Sequence, residues 1–151
     1  MRPTAAVTAR AETVARLTAI IAETRDDASP FPQAELALAG DIDMLVAQLP
    51  ALDAEEAYRS RLRQNRPRDK AAGRTLVGPQ ASDLLVRHAQ KDLPAALGST
   101  GEQKALLIGL ILAHARLVAT MTGFAPILLL DEIAAHLDEG RRASLFARID
   151  A

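Results

Sequence analysis

Pro126-Ile127-Leu128-Leu129-Leu130-Asp131-Glu132 is the stretch whose reading decides the fold. A proline opens four consecutive apolar residues, and two acids follow at once. A run this short, apolar on every side, predicts a strand buried on both faces, as in a parallel sheet covered by helices. Ligands of such sheets bind beyond the carboxyl ends of the strands, where Asp131 and Glu132 stand. Two adjacent carboxylates there have the chemistry to hold a divalent cation and a water. That points to nucleotide chemistry, provided another segment holds phosphate.

Outward from this run, the pattern is helical on both sides. Upstream, Ser99 opens a long helix through about Met121, and Gly123 follows as its stop signal. Downstream, a last helix runs from about Glu139 toward Asp150, with Asp138 as its N-cap. Thr75–Val77 and Asp83–Arg87 read as two short strands around a turn at Gly78-Pro79. Before Gly73 the chain reads as helical and irregular. Residues Thr4 to Arg25 form an amphipathic helix with Val7, Ala11, Val14, Leu17 and Ile21 at helical spacing. Glu35 to Ala39 is a short strand ended by Gly40, and Ile42 to Leu49 a short helix stopped by Pro50. Asp53 is expected to cap a helix from Ala54 to about Gln64, with Glu56 completing a capping box. A soft boundary therefore falls near Gly73.

Composition bounds what the chain does. With 151 residues there is enough for one domain with a real core. Only 3% of residues are aromatic, so that core is built from Leu, Ala, Val and Ile. A formal net charge of -1 means that any nucleic-acid contact must come from a local patch. The chain has no cysteine, which excludes disulfides, thiolate metal sites and a cysteine nucleophile, and is consistent with a cytoplasmic location. Thr8, Arg10, Glu12 and Arg16 interrupt the N-terminal apolar pattern, so no signal peptide is expected. The most apolar window, Ala105 to Ala115, is too short to span a bilayer and reads as a buried helix.

The phosphate-binding candidate is Ser99-Thr100-Gly101-Glu102-Gln103-Lys104. At a helix start, free N–H groups and the positive end of the helix dipole face an incoming anion. Gly101 lets the backbone approach closely, and the Ser99 hydroxyl has a proton to donate. The same Ser-x-x-Glu pattern is an ordinary capping box. An apolar strand ending in an acid is equally common, and Asp131 could simply cap the next turn.

The order of these pieces resembles the second half of an ABC-type ATPase head, and within that class the RecF family. S-T-G-E-Q-K-A-L-L-I-G-L-I-L-A-H-A-R-L from Ser99 and P-I-L-L-L-D-E-I-A-A-H-L-D from Pro126 carry the resemblance. Gly73 to Pro79, Phe31-Pro32, Leu36, Leu38 and Gly40 extend it. It implies an α/β fold, mostly helical: a partial ABC-type P-loop NTPase head with a helical lobe. Residues 1–72 would be the helical arm and residues 73–151 the C-terminal half of the head. It implies that Ser99, Gly101 and Glu102 form the signature motif against ATP held by a partner subunit. Asp131 would hold Mg²⁺, Glu132 would polarise the attacking water, and Asp138, in the D-loop Ala135 to Asp138, would contact the partner. Such proteins bind DNA and ATP as homodimers in the cytoplasm and help load recombinase at single-strand gaps, with RecR and RecO as partners.

The departures are equally specific. A P-loop needs G-x-x-x-x-G-K-[ST]. Gly73 and Gly78 have the glycine spacing, but Pro79 and Gln80 occupy the Lys and Ser/Thr places. The sequence thus resembles a RecF lacking its Walker A part and its C-terminal end, and is expected not to hydrolyse ATP alone. His88, His114 and His136 do not match the family's switch histidine. Gln80 and Ala81 stand where the family carries His and a basic residue.

Arg59, Arg61, Arg63, Arg66, Arg68, Lys70 and Arg74 crowd one stretch, opposed within it only by Asp69. Such a cluster can neutralise phosphates, and Arg61, Arg63, Arg66 and Arg68 are the expected DNA contacts. A solvated helix face with Glu55 and Glu56 pairing some arginines explains the same pattern. The alternative function is a stand-alone, non-catalytic dimerisation or DNA-binding module. An SMC-like head is a third possibility, against which stands the lack of a sustained heptad.

Overall fold

The structure, a computed structural model, describes residues 3–24, 29–130 and 137–149. Its elements are α1 (Pro3–Glu23), β1 (Ala34–Ala39), α2 (Asp41–Gln48), α3 (Ala51–Ala72), β2 (Asp83–His88), β3 (Leu93–Pro94), α4 (Thr100–Thr122) and α5 (Glu139–Ile149). The described chain is mostly helical, with one small antiparallel sheet in the order β1-β2-β3. β2 and β3 pair with Arg87 opposite Pro94 and His88 opposite Leu93.

Two packed units divide the chain: Met1–Ala15 with Ala37–Leu85, and Arg16–Leu36 with Val86–Ala151. In the first, Val7, Ile42 and Tyr58 form the core, with Leu45, Val46, Leu62 and Val77 against it. Burial raises the Tyr58 hydroxyl above its usual pKa. The second unit has two clusters. Phe31, Ala105, Ile108, Leu137 and Leu145 make one; Leu17, Ala113 and Leu117 make the other. All but two of these side chains, Phe31 and Tyr58, are aliphatic, as the scarcity of aromatics requires.

Local chemistry sets the helix limits. α3 starts at Ala51, two residues before Asp53, because Pro50 already accepts the first helical bond, from Ala54 N at 2.9 Å. Asp53 therefore sits in the first turn, where its charge complements the helix dipole, and no side chain caps this end. The expected stop near Gln64 is passed as well. Arg, Gln, Lys and Ala are strong helix formers, and the helix runs through Pro67 to Ala72. Gly73, at φ 65°, then reverses the chain in the left-handed region and donates to Asp69 and Lys70. α4 ends similarly on Gly123, at φ 77°.

Two further sequence expectations fail. Thr75–Val77 is not a strand; the residues after Gly73 form bends and then a short 3₁₀ turn, Pro79–Ala81. More consequentially, Ile127–Leu130 is not a strand buried on both faces, and no covered parallel sheet exists among the described residues. Ile127 and Leu129 are 90% and 93% exposed. Leu130 is half-buried against the Phe31–Leu145 cluster. A strand needs neighbours to take its backbone hydrogen bonds, and no described strand lies beside this one. The run therefore lays alternate side chains on the unit and leaves the others in solvent.

α4 is 23 residues long and apolar enough to cross a bilayer by length and composition, a test that core helices of soluble proteins also pass. Ala105, Leu106, Ile108, Ala113 and Leu117 on it are buried in this fold.

Candidate functional site

The start of α4 is a closed hydrogen-bond ring. Ser99 Oγ accepts from Glu102 N at 3.3 Å and donates to Glu102 Oε2 at 2.9 Å. Ser99 N donates to the same Oε2 at 2.8 Å, completing the capping box. The other carboxylate oxygen, Oε1, pairs with Lys91 Nζ. Lys91 and the two Ser99 donors hold the Glu102 carboxyl down at a pKa of about 2. Between the capped ends, no hydrogen bond among the described residues engages the amides of Thr100 and Gly101.

A second element meets this end. Asp138 caps α5, its Oδ1 accepting from Arg141 N at 2.8 Å. Arg141 Nε lies 3.6 Å from Asp138 Oδ2 and donates to Pro30 O at 3.2 Å. The Arg141 guanidinium comes within 3.8 Å of the point where a Cβ on Gly101 would sit. Ser99, Gly101, Glu102 and Asp138, chosen from sequence, are thus linked through Arg141 in one unit. Open amides, a hydroxyl, a glycine and a guanidinium suit a phosphate. Two carboxylates oppose it: Glu102, balanced by Lys91, and Asp138, paired with Arg141.

Sequence reading missed both Arg141 and Lys91. Arg141 had a signal, because the third residue of a helix capped by aspartate faces the cap. Lys91 had none, because its place depends on the β2–β3 turn.

Asp131 and Glu132 lie outside the described residues, as do Ala135 and His136 of the D-loop. Among the described residues, no group of three His, Asp or Glu side chains could hold a metal ion. His88 is buried, with no hydrogen-bond partner for Nδ1, and His114 is exposed on α4.

In the other unit, α3 sorts the basic cluster onto two sides. At 100° per residue, Arg59, Arg63, Arg66 and Lys70 fall within about 60° of one another, along about 16 Å of axis. Arg61 and Arg68 fall on the opposite side. Arg59 pairs with Glu55 at 2.6 Å and Arg61 with Asp41 at 3.7 Å. Arg63, Arg66, Arg68 and Lys70 are exposed.

No protein-family model matches the chain. Among curated proteins it is 64% identical to the DNA replication and repair protein RecF of Rhizobium rhizogenes over 142 residues, which is 94% of this chain and 37% of that protein. It is 66% identical over 135 residues to the protein of the same name from Allorhizobium ampelinum, covering 89% of this chain and 36% of that one. With the Brucella abortus RecF it shares 58% identity over 147 residues, 97% of this chain and 38% of the relative. The chain therefore spans a little over a third of the length of the curated relatives it matches.

Proposed function

We propose a function from the premise that this chain is of RecF type over 94% of its length: it supplies the signature and Walker B half of an ATP-dependent DNA repair head. The supporting observation is the convergence of Ser99, Gly101 and Glu102 with Asp138 through Arg141 at one helix start. Residues 1–72 then correspond to the arm and residues 73–151 to the C-terminal half of a partial ABC-type head.

In this reading Ser99 and the open amides beside Gly101 meet the γ-phosphate of ATP bound by a second copy. Asp131 would hold Mg²⁺, which would supply charge neutralisation at the phosphates. Glu132 would polarise the attacking water, and Asp138 would face the partner across the homodimer. Positioning and charge neutralisation do most of the work in phosphoryl transfer. The site needs a phosphate cradle from sequence other than Gly73–Gln80, whose Pro79 and Gln80 cannot act as one. The chain by itself is accordingly inactive. The wider setting is cytoplasmic: ATP-driven dimers on DNA, recombinase loading at single-strand gaps, and RecR and RecO as partners. The α3 cations contact DNA phosphates.

The test uses a complete RecF-type protein carrying this sequence. Glu132→Gln is expected to lower ATP turnover by about 10²-fold or more while the ATP-dependent dimer, measured by sedimentation, persists. Turnover at the wild-type rate would reject the reading, and so would turnover by the purified 151-residue chain.

A further inference from the structure

The β2–β3 turn holds a lysine against the α4 start, and the way that turn is built suggests why. It closes through Asp92, which at φ 48° is the only described non-glycine residue in the left-handed region. That conformation costs about 1 kcal/mol or more, so something must hold it. Arg87 does so, donating to Asp92 O at 2.8 Å and to Asp92 Oδ1 at 2.5 Å. The turn is also tied to residue 33. Ala89 N donates to Gln33 O at 3.0 Å, and Gln33 N donates to Gln90 Oε1 at 3.2 Å. Lys91 sits inside this pinned turn and reaches Glu102 Oε1.

The consequence concerns one proton. Ser99 Oγ has a single hydrogen, and here it goes to Glu102 Oε2. A phosphate arriving at Gly101 competes with that carboxylate for it. An unbalanced Glu102 would win more easily and would repel the phosphate as well. A cation on Glu102 Oε1 weakens the carboxylate as an acceptor and cancels its charge, without touching the hydroxyl. We propose that Lys91 is a positioning residue for the signature serine: by pairing with Glu102 it frees the Ser99 hydroxyl to exchange a carboxylate for a phosphate oxygen. This rests on the nucleotide reading above and names a residue that the motif does not contain.

The experiment follows ATP-dependent dimerisation and turnover in a complete RecF-type protein carrying Lys91→Met, Lys91→Arg, Glu102→Gln, or Lys91→Met with Glu102→Gln. Lys91→Met is expected to raise the ATP concentration for half-maximal dimerisation, and the KM, by about tenfold, the scale of one charged hydrogen bond, with kcat changed much less. Lys91→Arg restores the wild-type response. Lys91→Met changes the response much less in the Glu102→Gln background than in the Glu102 one, because a neutral amide needs no balancing cation. An unchanged response in Lys91→Met overturns the proposal. A Lys91→Met effect of equal size in the two backgrounds also overturns it, since a merely structural lysine would behave that way. Ser99→Ala and Glu132→Gln run alongside. If both leave the ATP response intact, the nucleotide reading itself has failed; if they act and Lys91→Met does not, only the role of Lys91 is lost.

Discussion

Gly101→Ala separates the two roles of the α4 start, because it pushes stability and nucleotide response in opposite directions. Gly101 is the second residue of α4 and is not among the glycines with positive φ. A methyl group there meets only Arg141 Nη1, at 3.8 Å, an ordinary van der Waals contact. Alanine therefore fits without strain and reduces the freedom of the unfolded chain. Near a helix start that is worth about 0.5 kcal/mol of added stability. For a chain of this size it is a rise of about 1–2 °C in Tm. The same methyl group stands on the face where the Arg141 guanidinium and the open amides converge, so it should keep a phosphate from closing on the backbone. A complete protein carrying Gly101→Ala is expected to melt slightly higher while its ATP-dependent dimerisation is largely lost. Circular-dichroism melting gives the first quantity and sedimentation with ATP the second. A lower Tm would mean that the backbone at residue 101 is strained, contrary to its φ. A raised Tm with the ATP response intact would leave Ser99 to Glu102 as a cap and nothing more.

Other outcomes follow from the same geometry. Leu145→Ala, at a site 2% exposed among Phe31, Ala105, Ile108 and Leu137, should cost about 2–5 kcal/mol by denaturant unfolding. Glu102 has its folded pKa lowered from 4.5 to about 2. Its stabilising contribution is therefore complete above pH 4.5 and fades as pH falls toward 2. Glu102→Gln should flatten that part of a melting-temperature profile, and an unchanged slope would mean the carboxylate is not held in solution as described. Replacing Arg63, Arg66 and Lys70 together with Ala should reduce the slope of log Kd for DNA against log salt by nearly three. Replacing Arg61 and Arg68, on the other side of α3, should do less. Equal effects from the two sets would show that no single row lies on the phosphates.

Elements whose boundaries are set by local chemistry were legible from the sequence. Ser99, Glu102 and Gly123 bracket α4 as expected, because caps and left-handed glycines act within one turn of chain. Asp138 caps α5 for the same reason. The start of α3 was misplaced because a proline carbonyl took the role given to Asp53. Ile127–Leu130 was misread because a buried strand is a property of its neighbours, and four apolar residues carry no information about whether those neighbours are present. At the site, Ser99, Gly101 and Glu102 could be chosen as a helix start suited to an anion, and Asp138 joined them through the family resemblance. Lys91 could not. It is eleven residues from Glu102 and lies in the β2–β3 turn.

The half-open apolar run also bears on handling. Ile127 and Leu129 project into water, next to half-buried neighbours and with no strand alongside among the described residues. Four successive branched aliphatic residues without charge have the composition that templates cross-β stacking between identical chains. Concentrating the isolated 151-residue chain should therefore drive ordered association through this short segment. A lysine at position 127 or 129 would act as a gatekeeper, keeping the preparation dispersed while leaving the three core clusters untouched.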